Sequence, residues 1–369
     1  MTDLGAHAAR ACLAKAAIGP ESIDHIVFGN TVPVDRDGLF SGRVVGMKAG
    51  LPVEASALNV VRACGTGSQA IASAAEQIML GRSEVALAGG AECYSRAPYI
   101  LTNHRWGARR GTDTLVDGLD YAYRCPFSEE YMGETAENLA EEFQYEREAM
   151  DEWALMSQQR AAAAIASGFL GRQIAPIEVP DGRGQRLFDR DEYPRPDVTA
   201  QRLAQLKPAF RAGGKVTAGN SSGVTDGAAF VLVARRGRAQ ELGITADARI
   251  VDWATVGVPP RIMGAGPVPA IEKLLRKTGH KVDDIDYFEI NEAFAVVNLH
   301  AERQLGIPRA RTNLYGGGIS IGHPPGATGV RMTITAMQHL AESRGRYAIV
   351  SMCLGGGQGM ATLIENLRR

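Results

Sequence analysis

An internal repeat constrains this fold more than any other feature of the chain. "SIDHIVFGN" (22–30) resembles "DIDYFEINEAF" (284–294), with Asp24 against Asp286, an offset of 262. Cys64, where "ASALNVV" runs towards "GSQAIASAAEQIMLG", corresponds to His323 in "GGGISIGHPPGATGVRMTITAMQHL", an offset of 259. "VALAGGAE" corresponds to "IVSMCLGGGQG", with Ala88 against Ser351, an offset of 263. Three nearly equal offsets mark a duplicated unit rather than a chance likeness between buried strands. Each copy alternates short apolar strands with helical stretches, which predicts an α/β fold of mostly parallel sheets covered on both faces.

The repeat divides the chain. Residues 1–95 together with 215–246 make the first half, and 247–369 the second. Residues 96–214 break the rhythm: they are rich in Arg, Asp, Tyr and Pro, with one long helical stretch at 146–168. They read as an inserted loop domain lying over a face of the sheet. The repeat also exposes an asymmetry. "ARIVDWATVG" (248–257) is a strand ahead of the second half's first helix, and its counterpart in the first half would fall before Met1. The expectation is a first half lacking its first strand, with an empty slot inside the sheet. An extended upstream segment of about 20–30 residues would fill that slot.

In open α/β sheets, ligands bind outside the carboxyl ends of the strands. Cys64 stands where a strand ends and a helix begins, and backbone N–H groups there favour a thiolate. His323 stands at the corresponding turn of the other half, so the pseudo-symmetry brings the two turns close. A Cys beside a His is an activated nucleophile. Cys353 precedes a glycine-rich turn, "LGGGQG", and Asn291 and Glu292 follow the apolar run "YFEI". Any one of these residues is more often packing than chemistry. Together they form a Cys/His/Cys/Asn constellation drawn from both halves.

Composition narrows the rest. A net charge of −1 with scattered basic residues gives no footprint for nucleic acid. No apolar run reaches the ~18 residues of a membrane span. Five widely spaced cysteines show neither zinc spacing nor a disulfide framework, so no metal is expected and the compartment reads as reducing. The N-terminal stretch lacks the apolar core of a secretory signal, and the expected localisation is cytoplasmic.

"NVVRACGTGSQA", "NEAFA", "GGGISIGHPPGATG" and "CLGGGQG" resemble, in order, the signature blocks of the thiolase family. "MGETAENLAEEF" (132–143) and "TAGNSSGVTDGAA" (217–229) resemble it too. The resemblance implies two sheets with helices layered between and outside them (αβαβα). It implies acyl transfer between coenzyme A thioesters: thiolysis of a 3-ketoacyl-CoA, or the reverse Claisen condensation. No cofactor is permanently bound; coenzyme A and acyl-CoA are substrates. Carried over by residue, Cys64 is the acylated nucleophile and His323 takes its proton. Cys353 is base or acid at the α-carbon. His323 and a water on Asn291 hold one oxyanion; the N–H groups of Cys64 and Gly355 hold the other. Ser222 would contact the pantetheine arm and Arg195 the nucleotide, while Met132, Ala293 and Phe294 line the acyl pocket. The resemblance further implies a homodimer or homotetramer. Tyr131 departs from a family His before the Met, which puts acetoacetyl specificity in doubt. The competing readings are a ketoacyl synthase and a non-catalytic acyl-CoA-binding relative.

Overall fold

The computed structural model describes residues 1–368. Among these residues the first sheet contains β1 (His25–Gly29), β2 (Ser56–Val60), β3 (Val85–Glu92) and β4 (Gly227–Ala234), in the order β2-β1-β3-β4. The second contains β5 (Ala248–Gly257), β6 (Tyr287–Ile290), β7 (Tyr347–Leu354) and β8 (Gln358–Asn366), in the order β6-β7-β8-β5. The principal helices are α1 (Thr2–Ala16), α2 (Ser41–Ala49), α3 (Thr66–Met79), α4 (Met132–Glu142), α5 (Arg147–Ala166), α6 (Pro267–Thr278), α7 (Ala295–Leu305) and α8 (Pro325–Ser343).

The alternation of side chains along each strand builds five layers. Ile26, Phe28 and Leu87 face outward onto Ala9, Leu13 and Val45 of α1 and α2. Val27, Ala86 and Ala88 face inward onto Ala70 and Ala74 of α3 and Val330 of α8. In the second sheet, Ala348, Val350 and Met352 meet Met332 and Ala336 of α8, while Ile349 and Leu363 meet Ile271 and Leu274 of α6. Helices α3 and α8 therefore form a shared central layer, and each sheet has its own outer helices. Each buried Leu, Ile or Phe contributes about 1.5–3 kcal/mol.

The sheets are more mixed than the alternation of strands and helices suggests. β1 pairs in parallel with β2 and β3, but β3–β4, β7–β8 and β8–β5 are antiparallel. The reason is local: β7 and β8 are joined by a three-glycine turn, too short for the crossover that a parallel pair needs.

The expected place of the unmatched strand is corrected. β5, the strand without a counterpart, lies at an edge, paired only with β8. Its equivalent place in the first sheet is therefore outside β4, not inside the sheet. On that side the outer edge of β4 has no strand partner among the described residues. Accordingly β4 is half-exposed along its length, whereas β8 is buried. A broad cleft of about 2930 Å³ runs beside β4, lined by Cys12, Val231, Val233, Trp253 and Arg331 among others.

The inserted segment also departs from expectation. It contains a second long helix, α4, as well as α5. Its core packs against α7 and residues 262–265 rather than over a sheet face: Met132, Leu139 and Trp153 meet Met263, Phe294, Val297 and Cys353. The insertion thus roofs the strand ends where the glycine turns lie. Among the described residues no helix is long and apolar enough to cross a membrane.

Candidate active site

Two similar elbows face each other across the central layer. Ala63, before Cys64, has φ +43°, and Gly322, before His323, has φ +101°. Positive φ is costly for a residue with a Cβ, so the Ala63 turn is braced. The Thr66 hydroxyl donates to Ala63 O at 2.7 Å and accepts from Arg62 N–H at 2.8 Å. At Gly322 a Cβ would stand 2.6 Å from the Thr225 side chain, so only glycine fits. From these elbows α3 and α8 start, and they cross where glycines allow backbone contact. A Cβ on Gly67 would lie 3.0 Å from Gly329 N. That crossing draws the Cys64 turn and the His323 turn together.

The N–H groups of Gly355 and of Cys64 itself favour the Cys64 thiolate. Burial nevertheless pushes its thiol above the usual range, and the two N–H groups only offset part of that. The helix-terminus argument from the sequence favoured a thiolate; burial overrides it. Cys353, at the end of β7, is fully buried, and burial followed by the nearby Cys64 pushes its thiol well up. Both sulfurs are therefore protonated in the resting site.

His323 is 5 % exposed, and burial pulls its imidazole down to about 3. Nδ1 lies 2.7 Å from Thr328 Oγ1, and Nε2 lies 3.3 Å from Asn291 Nδ2. Asn291 is pinned by its own N–H, which donates to Ser351 O at 2.9 Å. Its buried Oδ1 has no protein partner, so it is free to accept from a water or a substrate.

Sequence reasoning named Glu292 but not its partners, and it missed Glu92. Glu292 is fully buried and accepts from Trp153 Nε1 at 3.0 Å, Ser157 Oγ at 2.6 Å and Ile319 N–H at 3.3 Å. It ties the insertion to the loop before His323. Glu92 accepts from Thr31 N–H and hydroxyl, both at 2.7 Å, from Asn30 Nδ2 at 2.9 Å and from Gly326 N–H at 3.1 Å. Burial pushes its carboxyl up to about 6, against those hydrogen bonds.

The expected substrate contacts divide. A Cβ on Gly355 would lie 3.3 Å from Met132 Sδ, so Met132 packs against the glycine turn after Cys353. Ser222 N–H donates to Ala293 O at 3.0 Å, and Gly223 O accepts from His323 N–H at 3.2 Å, which brings this loop to the His323 turn. Phe294 packs with Met132 and Cys353 in one core. Arg195 lies on an exposed loop, held by its N–H on Gln158 Oε1 at 2.9 Å. Tyr131 hydrogen-bonds to Asp120 at 2.5 Å, and Arg124 stacks 3.9 Å over its ring. Tyr315 stacks on Phe169 and is a packing residue.

A duplicated α/β fold that sets two neighbouring buried thiols at one elbow and glycine turn, and a buried imidazole at the matching elbow of the other half, has the parts that an acyl-transfer enzyme requires. Residues 1–237 match the model of the thiolase N-terminal domain and residues 244–366 that of the thiolase C-terminal domain. The chain is 44% identical to the beta-ketothiolase BktB of Cupriavidus necator, over 99% of this chain and 93% of that protein. It superposes on the crystal structure of human mitochondrial 3-ketoacyl-CoA thiolase with a TM-score of 0.97 at 41% identity, covering 99% of this chain and 93% of that one. The same human enzyme in complex with CoA superposes with a TM-score of 0.96, again at 41% identity, covering 99% and 92%. The chain belongs to the thiolase family, and it is a thiolase: an acyltransferase acting on CoA thioesters.

Proposed function

We propose that this thiolase works through an acyl-Cys64 intermediate, with His323, Cys353, Asn291 and the Gly355 N–H completing the machinery. The observation that carries the reading is the packing of the Cys64 turn on the glycine turn after Cys353: a Cβ on Gly65 would lie 2.8 Å from Leu354 Cδ2, and one on Gly355 3.9 Å from Ala63 Cβ. The N–H groups of Cys64 and Gly355 would hold the oxyanion of a tetrahedral adduct formed at that sulfur, where one donor is worth about 3 kcal/mol. In thiolysis the sulfur attacks C3 of a 3-ketoacyl-CoA as its proton passes to His323. The C2–C3 bond then breaks. Cys353 protonates C2, releasing acetyl-CoA, and recovers a proton from His323; a CoA thiol then attacks the acyl group, its proton passing through His323 to the departing Cys64 sulfur. Condensation runs the same steps backwards, with Cys353 as base. A thiol held strongly protonated suits the acid, and its thiolate is a strong base. The enolate oxygen would sit between His323 and a water on the free Oδ1 of Asn291.

Met132, Ala293 and Phe294 would line the acyl group, Ser222 the pantetheine arm and Arg195 the nucleotide, beneath the insertion of residues 96–214. Thiolysis is the direction of beta-oxidation. All five cysteines are free, which suits a reducing compartment such as the cytoplasm. A second copy would join at the edge of β2, beside the exposed Leu39, Phe40 and Val61; a tetramer would pair two such dimers.

Intact mass after acetyl-CoA treatment tests the reading. Wild type and Cys353→Ser gain an acetyl group, Cys64→Ser does not, and neither variant turns over. Turnover in both variants at half the wild-type rate would overturn the assignment. Thiolysis rates across 3-ketoacyl chain lengths then define the substrate.

A further inference from the structure

A neutral imidazole donates from one nitrogen and accepts at the other, and the partner of one decides the role of the other. His323 is buried, so it rests neutral. Its Nδ1 lies 2.7 Å from the Thr328 hydroxyl oxygen. That hydroxyl has one proton, directed to Pro324 O at 2.9 Å, four residues back in the same turn. Towards Nδ1 the oxygen therefore presents lone pairs, and Nδ1 must carry the hydrogen. On the other side Asn291 Nδ2, a donor, faces Nε2 at 3.3 Å. Both contacts demand the same tautomer.

We propose that Thr328 is a positioning residue that holds His323 as the Nδ1–H tautomer, leaving Nε2 without a hydrogen as the base for the Cys64 proton. This rests on the reading of His323 as the group that takes the Cys64 proton. In acyl transfer from acetyl-CoA, the proton leaves Cys64 Sγ for Nε2 as the S–C bond forms. It returns from Nε2 to the departing CoA sulfur as the C–S bond breaks. Thr328 keeps its hydrogen bond to Nδ1–H throughout, so the imidazolium forms without reorganisation on that side, while at Nε2 the Asn291 N–H gives way to the incoming proton. The first turn of α8, which carries Thr328, is itself anchored. Gly326 N–H in that turn donates to Glu92 at 3.1 Å, and Glu92 also gathers Thr31 and Asn30 from the end of β1. The base is thereby fixed relative to the half that carries the nucleophile.

The test uses 15N-histidine NMR of the full chain at neutral pH, with His323 assigned by its loss in His323→Gln. Wild type and Thr328→Ser should show Nδ1 protonated and Nε2 bare. Thr328→Val, similar in shape but without the oxygen, should show a mixed or reversed tautomer. Single-turnover acetylation of Cys64 should then fall about 10–100-fold, with KM for acetyl-CoA unchanged and Thr328→Ser near wild type; a wholly wrong tautomer costs up to about 10⁴. An Nε2–H tautomer in wild type overturns the proposal without needing any variant to fold. So does a Thr328→Val protein with wild-type tautomer and rate. Failure of wild type to acetylate Cys64 would instead remove the catalytic reading and leave the tautomer result standing on its own.

Discussion

Gly67 of α3 and Gly329 of α8 leave no room for a methyl group between them. A Cβ on Gly67 would lie 3.0 Å from Gly329 N, and one on Gly329 would lie 2.4 Å from Ser68 N. The clash is with backbone, which cannot rotate away. This crossing sets the separation of the two elbows, so packing of the central layer and geometry of the site are one constraint. Gly329→Ala should destabilise the protein by roughly 1–3 kcal/mol and lower turnover more than the loss of folded protein explains. Urea midpoints and turnover per folded molecule measure both; an unchanged turnover would separate the crossing from the site.

The elbows themselves make opposite predictions. Ala63 sits at φ +43° and bears left-handed strain of about 1 kcal/mol, which a glycine would relieve. Ala63→Gly should therefore fold with stability within about 1 kcal/mol of wild type, the greater freedom of the unfolded chain offsetting the relief, and should remain active. Gly322→Ala meets Thr225 at 2.6 Å as well as an unfavourable φ, and should lose most activity by displacing His323. Thermal midpoints and turnover of the two variants decide; the reverse ranking would contradict the elbow geometry.

Acid sensitivity follows from the buried histidine. Burial lowers His323 to about 3, below its unfolded value near 6.5. The neutral form is the one that folds, so its contribution is present above pH about 6.5 and is lost as pH falls from there towards 3. His300, lowered to about 4 by burial and then by Arg303, acts in the same sense. Glu92, raised to about 6, acts in the opposite sense: its contribution is present at low pH and is lost as pH rises through 6. Between pH 7 and pH 5 the His323 share is about 2 kcal/mol. Urea unfolding should show His323→Gln losing less stability than wild type over that interval. Equal losses would mean that the imidazole is not held neutral.

How much of this was legible in the sequence depends on the range of each interaction. The Cys64 and His323 turns repeat a local strand–turn–helix pattern, so comparing the halves exposes them. Strand order is set by pairing between distant segments, and the sequence placed the missing strand inside the sheet where β5 shows an edge. Glu92 and Gly326 are 234 positions apart, and nothing local marks a carboxylate that caps a helix of the other half. Thr328 was within reach: it falls in the first turn of the helix that follows His323, where a hydroxyl can turn back onto the ring. The state of Cys64 was misjudged because a helix terminus is visible in sequence and burial is not. Arg195 was singled out only by its match to a family position, because a charge on an exposed loop carries no local mark of a ligand.

The exposed edge of β2 carries the last prediction. β2 pairs only with β1, and three of its five residues are exposed. Beside it, Asn59 Nδ2 donates to Leu39 O at 2.8 Å and Asn59 Oδ1 accepts from Gly42 N–H at 2.8 Å. That holds Leu39, 81 % exposed, and Phe40, 65 % exposed, next to Val61, 69 % exposed. An apolar patch on an open strand edge is what a second strand edge covers, and a self-complementary edge gives a two-fold dimer. Val61→Asp places a charge in that patch without touching a buried residue, so it should shift the assembly towards monomer at micromolar concentration while leaving the far-UV circular dichroism intact. Sedimentation velocity of the two proteins reads the shift. A wild-type chain already monomeric there, or a Val61→Asp chain that keeps the wild-type assembly, would show that β2 is not where copies of this thiolase meet.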